Sequence, residues 1–114
     1  MRLIKAFFYS LSGLFEAFKG EAAFRLEIYM LPLVLICVIF LNLTIVERAL
    51  LIFSYGVVLV TELLNTAIEK TIDRISLEEH PLSKKVKDIA SAAVFISILV
   101  AGYVWMTIIF SKIV

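Results

Sequence analysis

Cysteine occurs once, at Cys37 within the apolar run from Ile28 to Leu43, which excludes an intrachain disulfide and leaves a thiol that packs as a small hydrophobe. Glycine is scarce as well. Four residues in all, none in Walker-loop spacing, exclude a Gly-rich phosphate cradle of that kind. Charged side chains make up only 18% of the 114 residues against 62% hydrophobic, and the mean hydropathy of +1.04 is far above that of a soluble globular chain. The solvent of most of this chain is therefore a bilayer, and its length allows one domain. No repeat or low-complexity tract is present. A cleavable secretory leader is not expected either, because Lys5, Ser10, Ser12, Glu16 and Lys19 interrupt the opening stretch and no small-residue cleavage site precedes the first long apolar run.

What is present falls into four segments of an all-α membrane protein. In residues 1–19, Leu3, Ile4, Phe7, Phe8, Leu11, Leu14, Phe15 and Phe18 lie within an arc of roughly 140° at 100° per residue, opposite Arg2, Lys5, Tyr9, Ser10, Ser12, Glu16 and Lys19. Such a helix lies in the membrane interface or packs on another protein. Three apolar runs follow, expected as spans over 28–46, 49–69 and 89–113, each close to the roughly 20 residues that cross about 30 Å of hydrocarbon. Pro32 sits near the start of the first, Asn42, Thr44, Glu47 and Arg48 make a polar reversal, and Pro81 breaks the charged stretch before the third. Trp105 and Tyr103 in that third run favour interfaces.

Charge sets the expected topology. If the N-terminal segment and the 70–87 loop share a side, it holds nine basic residues (Arg2, Lys5, Lys19, Arg25, Lys70, Arg74, Lys84, Lys85, Lys87) against Arg48 and Lys112 opposite. By the positive-inside rule these segments face the cytoplasm.

An ionisable residue inside a span costs on the order of 3 kcal/mol, which makes Glu62 a functional candidate. Asn65, Glu69 and Asp73 follow it at +3, +7 and +11, within an arc of about 80°. From Glu62 to Glu69 the rise is roughly 10 Å, so one end of the stripe meets lipid headgroups and the other meets water. That spacing suits a reaction between a lipid and a soluble molecule. Glu21, Lys87 and Asp88 flank the stripe, and carboxylates beside a lysine suit a magnesium nucleotide. Plainer readings stand beside these. Glu21 and Arg25 are also spaced for an i,i+4 ion pair, the 84–87 lysines for a topogenic cluster, and Asn65 and Ser91 for interhelical hydrogen bonds.

The strings Glu21-Ala22-Ala23-Phe24-Arg25, Glu62-Leu63-Leu64-Asn65-Thr66-Ala67-Ile68-Glu69, Asp73-Arg74, His80 and Lys87-Asp88 through Ser91-Ala92-Ala93-Val94 resemble the bacterial integral-membrane diacylglycerol kinases over nearly the whole chain. The resemblance implies a homotrimer of three-span subunits in the bacterial inner membrane, with composite sites where ATP phosphorylates a lipid hydroxyl at the cytoplasmic face. Glu62 matches the general base, and Glu21 and Glu69 match Mg2+-binding carboxylates. Arg2, Tyr9, Glu21, Asn65, Glu69, Asp73, Glu78, Glu79, His80, Lys87 and Asp88 match nucleotide-side positions, although Glu79 stands where some members carry Tyr. Lipid contacts are implied for Arg2, Ala6, Ser10, Leu11, Ala23, Phe24, Arg25, Glu27, Glu62 and Ser91. A pair with Arg25 is the other reading of Glu27. Nucleic acid is not among the expected partners.

The expected activity is conversion of 1,2-diacylglycerol to phosphatidate. Undecaprenol is the rival substrate, because Pro81-Leu82-Ser83-Lys84-Lys85 leans toward relatives that use it, while Asp73-Arg74-Ile75 and Ser91-Ala92-Ala93 lean toward diacylglycerol. A small transporter would need a polar path across the whole bilayer, and the outer halves of the spans are apolar. A purely structural protein would have no use for Glu62.

Overall fold

The computed structural model describes all 114 residues as four helices joined by short connections: α1 (Arg2–Gly20), α2 (Ala22–Phe40), α3 (Ile45–Ile75) and α4 (Pro81–Ile113). The last three are long and apolar enough to cross a membrane. Only 14 of the 114 residues are buried, and each candidate span is mostly exposed. A surface of Leu, Ile, Val and Phe on that scale needs lipid or further protein around it.

Helix ends explain where the elements differ from the apolar runs. α2 begins at Ala22, ahead of the 28–46 run, and stops at Phe40, short of its end. It stops because Thr44 opens α3 with a capping box: the Thr44 hydroxyl accepts from Glu47 N–H at 3.1 Å and Glu47 Oε1 accepts from Thr44 N–H at 2.9 Å. The polar reversal is thus the cap of the next helix. Arg48 then reaches back from α3, its guanidinium donating to the carbonyls of Val38, Ile39 and Leu41 that α2 leaves free. Pro32 sits inside α2, where its missing N–H removes one helical hydrogen bond.

α4 starts before the 89–113 run, with Pro81 in its first turn and His80 as its N-cap, the ring Nδ1 accepting from Leu82 N–H at 3.1 Å. The 31 residues of α3 and 33 of α4 therefore extend about 46 and 50 Å, well past the hydrocarbon. Their joined ends project out of the bilayer and carry the charged residues.

α3 and α4 form the main packing pair, with α2 and α1 added on the other side of α3. The hairpin is tied at several levels by Lys112–Glu47 at 2.9 Å, Trp105 Nε1 donating to Leu51 O at 3.2 Å, Thr61–Ser97 hydroxyls at 2.9 Å, and Lys87–Asp73 at 2.8 Å. The apolar cluster of Val34, Val38, Leu43, Leu51 and Ile108 lies toward the α2–α3 turn, away from the charged end. The charged end is left for chemistry. There Arg25 donates to the carbonyls of Phe18 at 2.9 Å and Lys19 at 3.1 Å, capping α1 where the chain turns into α2, and Phe18 meets Tyr29 edge-on.

Candidate functional site

The stripe holds together because α3 runs unbroken from the span into water. Glu62, on the inner face, is 8% exposed, and its Oε2 has no hydrogen-bond partner. One turn on, Asn65 Nδ2 donates to Glu69 Oε1 at 2.9 Å, while Asn65 Oδ1 is buried and also unpartnered. Buried polar atoms normally have partners, so two open oxygens on successive turns mark a place prepared for something else.

Below them, α3 and α4 diverge around an open cleft of about 680 Å3, a size suited to a ligand larger than an ion. Six residues expected on the nucleotide side line it: Asp73, Glu78, Glu79, His80, Lys87 and Asp88. Lys87 lies in the polar first turns of α4, and its hydrogen bond to Asp73 holds the ammonium above its ordinary range, with Glu69 adding to the same pull. Lys84, which the sequence reading left as a topogenic charge, also lines the cleft and pairs with Asp88 at 2.7 Å. Its i,i+4 spacing to Asp88 was the available signal.

Other expected residues lie apart from the cleft. Arg2 and Tyr9 are exposed on α1, and Glu21 is the half-buried junction between α1 and α2. On the lipid side, Ser10 spends its hydroxyl on the Ala6 carbonyl at 3.0 Å, Leu11, Ala23 and Ser91 are exposed, and Phe24 is packed away at 2% exposure. Arg25 forms no ion pair with Glu21 or Glu27, since its guanidinium serves α1. Tyr55 was not anticipated: its hydroxyl donates to the Glu27 carbonyl and ties α3 to α2. It stands two turns before Glu62 on the same face, a spacing legible in the sequence.

A family model for prokaryotic diacylglycerol kinase matches residues 8–109. The chain belongs to that family. The match covers α3 entirely and all but the ends of α1 and α4. Among its relatives are diacylglycerol kinases of Pseudomonas aeruginosa, 51% identical over 94% of this chain and 87% of that protein, and Haemophilus influenzae, 44% identical over 95% and 92%. The Escherichia coli diacylglycerol kinase is 44% identical over 96% and 90%. Family membership and three apolar helices together make this a bacterial multi-pass membrane protein. Within a diacylglycerol kinase family, a buried carboxylate at the head of a polar stripe that descends about three helix turns to a basic-acidic cleft has a ready chemical meaning.

Proposed function

We propose that the chain is an ATP- and Mg2+-dependent lipid kinase that phosphorylates 1,2-diacylglycerol to phosphatidate at the cytoplasmic face of the inner membrane. The observation that carries this reading is the line from Glu62, buried with an open oxygen, through Asn65 and Glu69 to the cleft beside Lys87. A lipid hydroxyl reaches Glu62 from the bilayer, and a nucleotide reaches the cleft from water. The hydroxyl oxygen forms a bond to the γ-phosphorus as the bond to the bridging oxygen breaks, ADP leaves with that electron pair, and the hydroxyl proton passes to Glu62.

Lys87 and Lys84 supply positive charge to the phosphates, and the exposed face of α1 brings Arg2 and Tyr9 to the nucleotide. By the family resemblance Glu21 and Glu69 would hold Mg2+, an oxygen donor set of the kind a hard cation takes, since Mg2+ characteristically uses one or two carboxylates and fills its shell with phosphate and water. When bound, Mg2+ neutralises phosphate charge. α1 lies on the membrane through Leu3, Phe7, Phe8, Leu14 and Phe15, all exposed. Three copies packed through their exposed span faces would cover much of the apolar surface and build sites from neighbouring subunits.

The test is a phosphotransfer assay in mixed micelles, with labelled ATP offered to diacylglycerol and undecaprenol in separate reactions. Diacylglycerol is expected to be the better acceptor. Labelling of neither lipid would contradict the kinase reading, and preference for undecaprenol would replace the substrate while keeping the chemistry.

A further inference from the structure

The chain has one histidine, His80, and the kinase reading gives its ring no task beyond lining the cleft. Its backbone carbonyl accepts the first helical hydrogen bond of α4, from Lys84 N–H at 3.0 Å. The side chain does the rest of the capping. Nδ1 accepts from Leu82 N–H at 3.1 Å, and Pro81 between them has no N–H to satisfy. Ser, Thr, Asp and Asn are the usual residues for this task. A ring nitrogen differs from their oxygens in that it accepts only while it carries no proton.

Acceptance at Nδ1 places the proton of the neutral ring on Nε2. A protonated imidazole donates from both nitrogens, so it would face the Leu82 amide donor to donor and set a positive charge against the positive end of the α4 dipole. The cap therefore exists only with a neutral ring, imidazole changes charge between about pH 5 and 8, and this ring is exposed to solvent. What the cap holds is the cleft wall. Lys84, Lys87 and Asp88 follow His80 at +4, +7 and +8, along one face of α4, and all three line the cleft. Lys84 bonds Asp88 at 2.7 Å and Lys87 bonds Asp73 at 2.8 Å, so a first turn that unwinds shifts Lys84 and then the pairs behind it. The charged groups that share the cleft with the ring are Asp73 from α3, Glu78 and Glu79 from the connection, and Lys84, Lys87 and Asp88 from α4, while α1 and α2 contribute none. A phosphate held at Lys87 acts on the ring across roughly 10 Å, about one Debye length, whereas the cap is a direct contact.

We propose that His80 is a positioning residue whose neutral ring caps α4 and so fixes Lys84, Lys87 and Asp88 for the nucleotide, and whose protonation releases that turn and weakens nucleotide binding. The nucleotide half of this rests on the kinase reading, and the cap does not. Acid thus acts on the affinity for ATP and leaves the transfer step at Glu62 untouched.

Nuclear magnetic resonance of the full chain in detergent micelles, labelled at histidine and leucine, tests the cap without any activity. Because His80 is the one histidine, its ring gives a single titration. The Leu82 amide resonance is expected to move with that titration between about pH 8 and 5, and to stay in place over the same range in H80N, whose side-chain oxygen accepts throughout. A Leu82 amide that ignores the ring overturns the cap. In the phosphotransfer assay at about pH 8, where the ring is neutral, H80A raises the KM for ATP about fivefold, the scale on which one lost helix cap acts, and H80N recovers most of that loss. The kcat at saturating ATP changes by less than about twofold in H80A, since the cap acts on binding. Towards about pH 5 the KM of the unsubstituted protein rises relative to that of H80N, a comparison in which the titration of the γ-phosphate and of the cleft carboxylates cancels. Equal losses in H80A and H80N, or one pH profile shared by H80N and the unsubstituted protein, overturn the positioning role. A chain whose Leu82 amide follows the ring but which labels no lipid keeps the cap and contradicts the kinase reading instead.

Discussion

Lys87 of α4 lies 2.8 Å from Asp73 of α3, joining the two helices at the level where the interhelical cleft opens. The pair is substantially exposed, so its contribution to folding is small and its effect is to hold an ammonium at the cleft wall. Lys87→Ala is expected to raise the KM for ATP by about tenfold, the effect of losing one charge-assisted phosphate contact, with Tm in detergent nearly unchanged. Steady-state kinetics with varied ATP check this. An unchanged KM would remove Lys87 from the nucleotide side.

Asn65 donates to Glu69 and leaves Glu69 fixed on the water side of the stripe. Glu69→Gln keeps the shape and removes the charge that a divalent cation needs. Half-maximal activity is expected to require about tenfold more Mg2+ or beyond, since a metal ligand or its support typically contributes on that scale. Titration of activity with Mg2+ at fixed ATP is the measurement, and an unshifted curve would count against a metal role.

Arg48 acts at the other end of the molecule, donating to three carbonyls at the C-terminus of α2. Arg48→Ala leaves those acceptors without their donor and is expected to cost about 1.5–3 kcal/mol, the range for hydrogen bonds to a charged group. The readout is a lower Tm in detergent with KM for both substrates unaffected in the surviving fold. A change in KM without a change in Tm would reverse this assignment.

The three spans and the Glu62 stripe were legible because both depend on periodicity within a single helix. A 3.6-residue repeat places Glu62, Asn65, Glu69 and Asp73 on one face whatever surrounds them. Helix ends were less legible. Thr44 and Glu47 read as polar reversal residues, yet their Ser/Thr-x-x-Glu spacing is a capping box, and Pro81 read as a break although proline opens helices. Least legible were contacts between helices. Nothing in the pattern of α2 alone says that its Glu27 turn meets Tyr55, because that contact is chosen by how α2 rotates against α3. Thr61 and Ser97 were passed over for the same reason.

Glu62 joins the lipid side of the stripe to its chemistry, so Glu62→Gln measured for turnover and nucleotide binding together tests the account most directly. The amide is isosteric and cannot accept the lipid proton. The expected result is a fall in kcat of at least about 100-fold, the scale of general base catalysis, with ATP affinity unchanged. Near-normal turnover in Glu62→Gln would contradict Glu62 as the base, and with it the reading of the stripe.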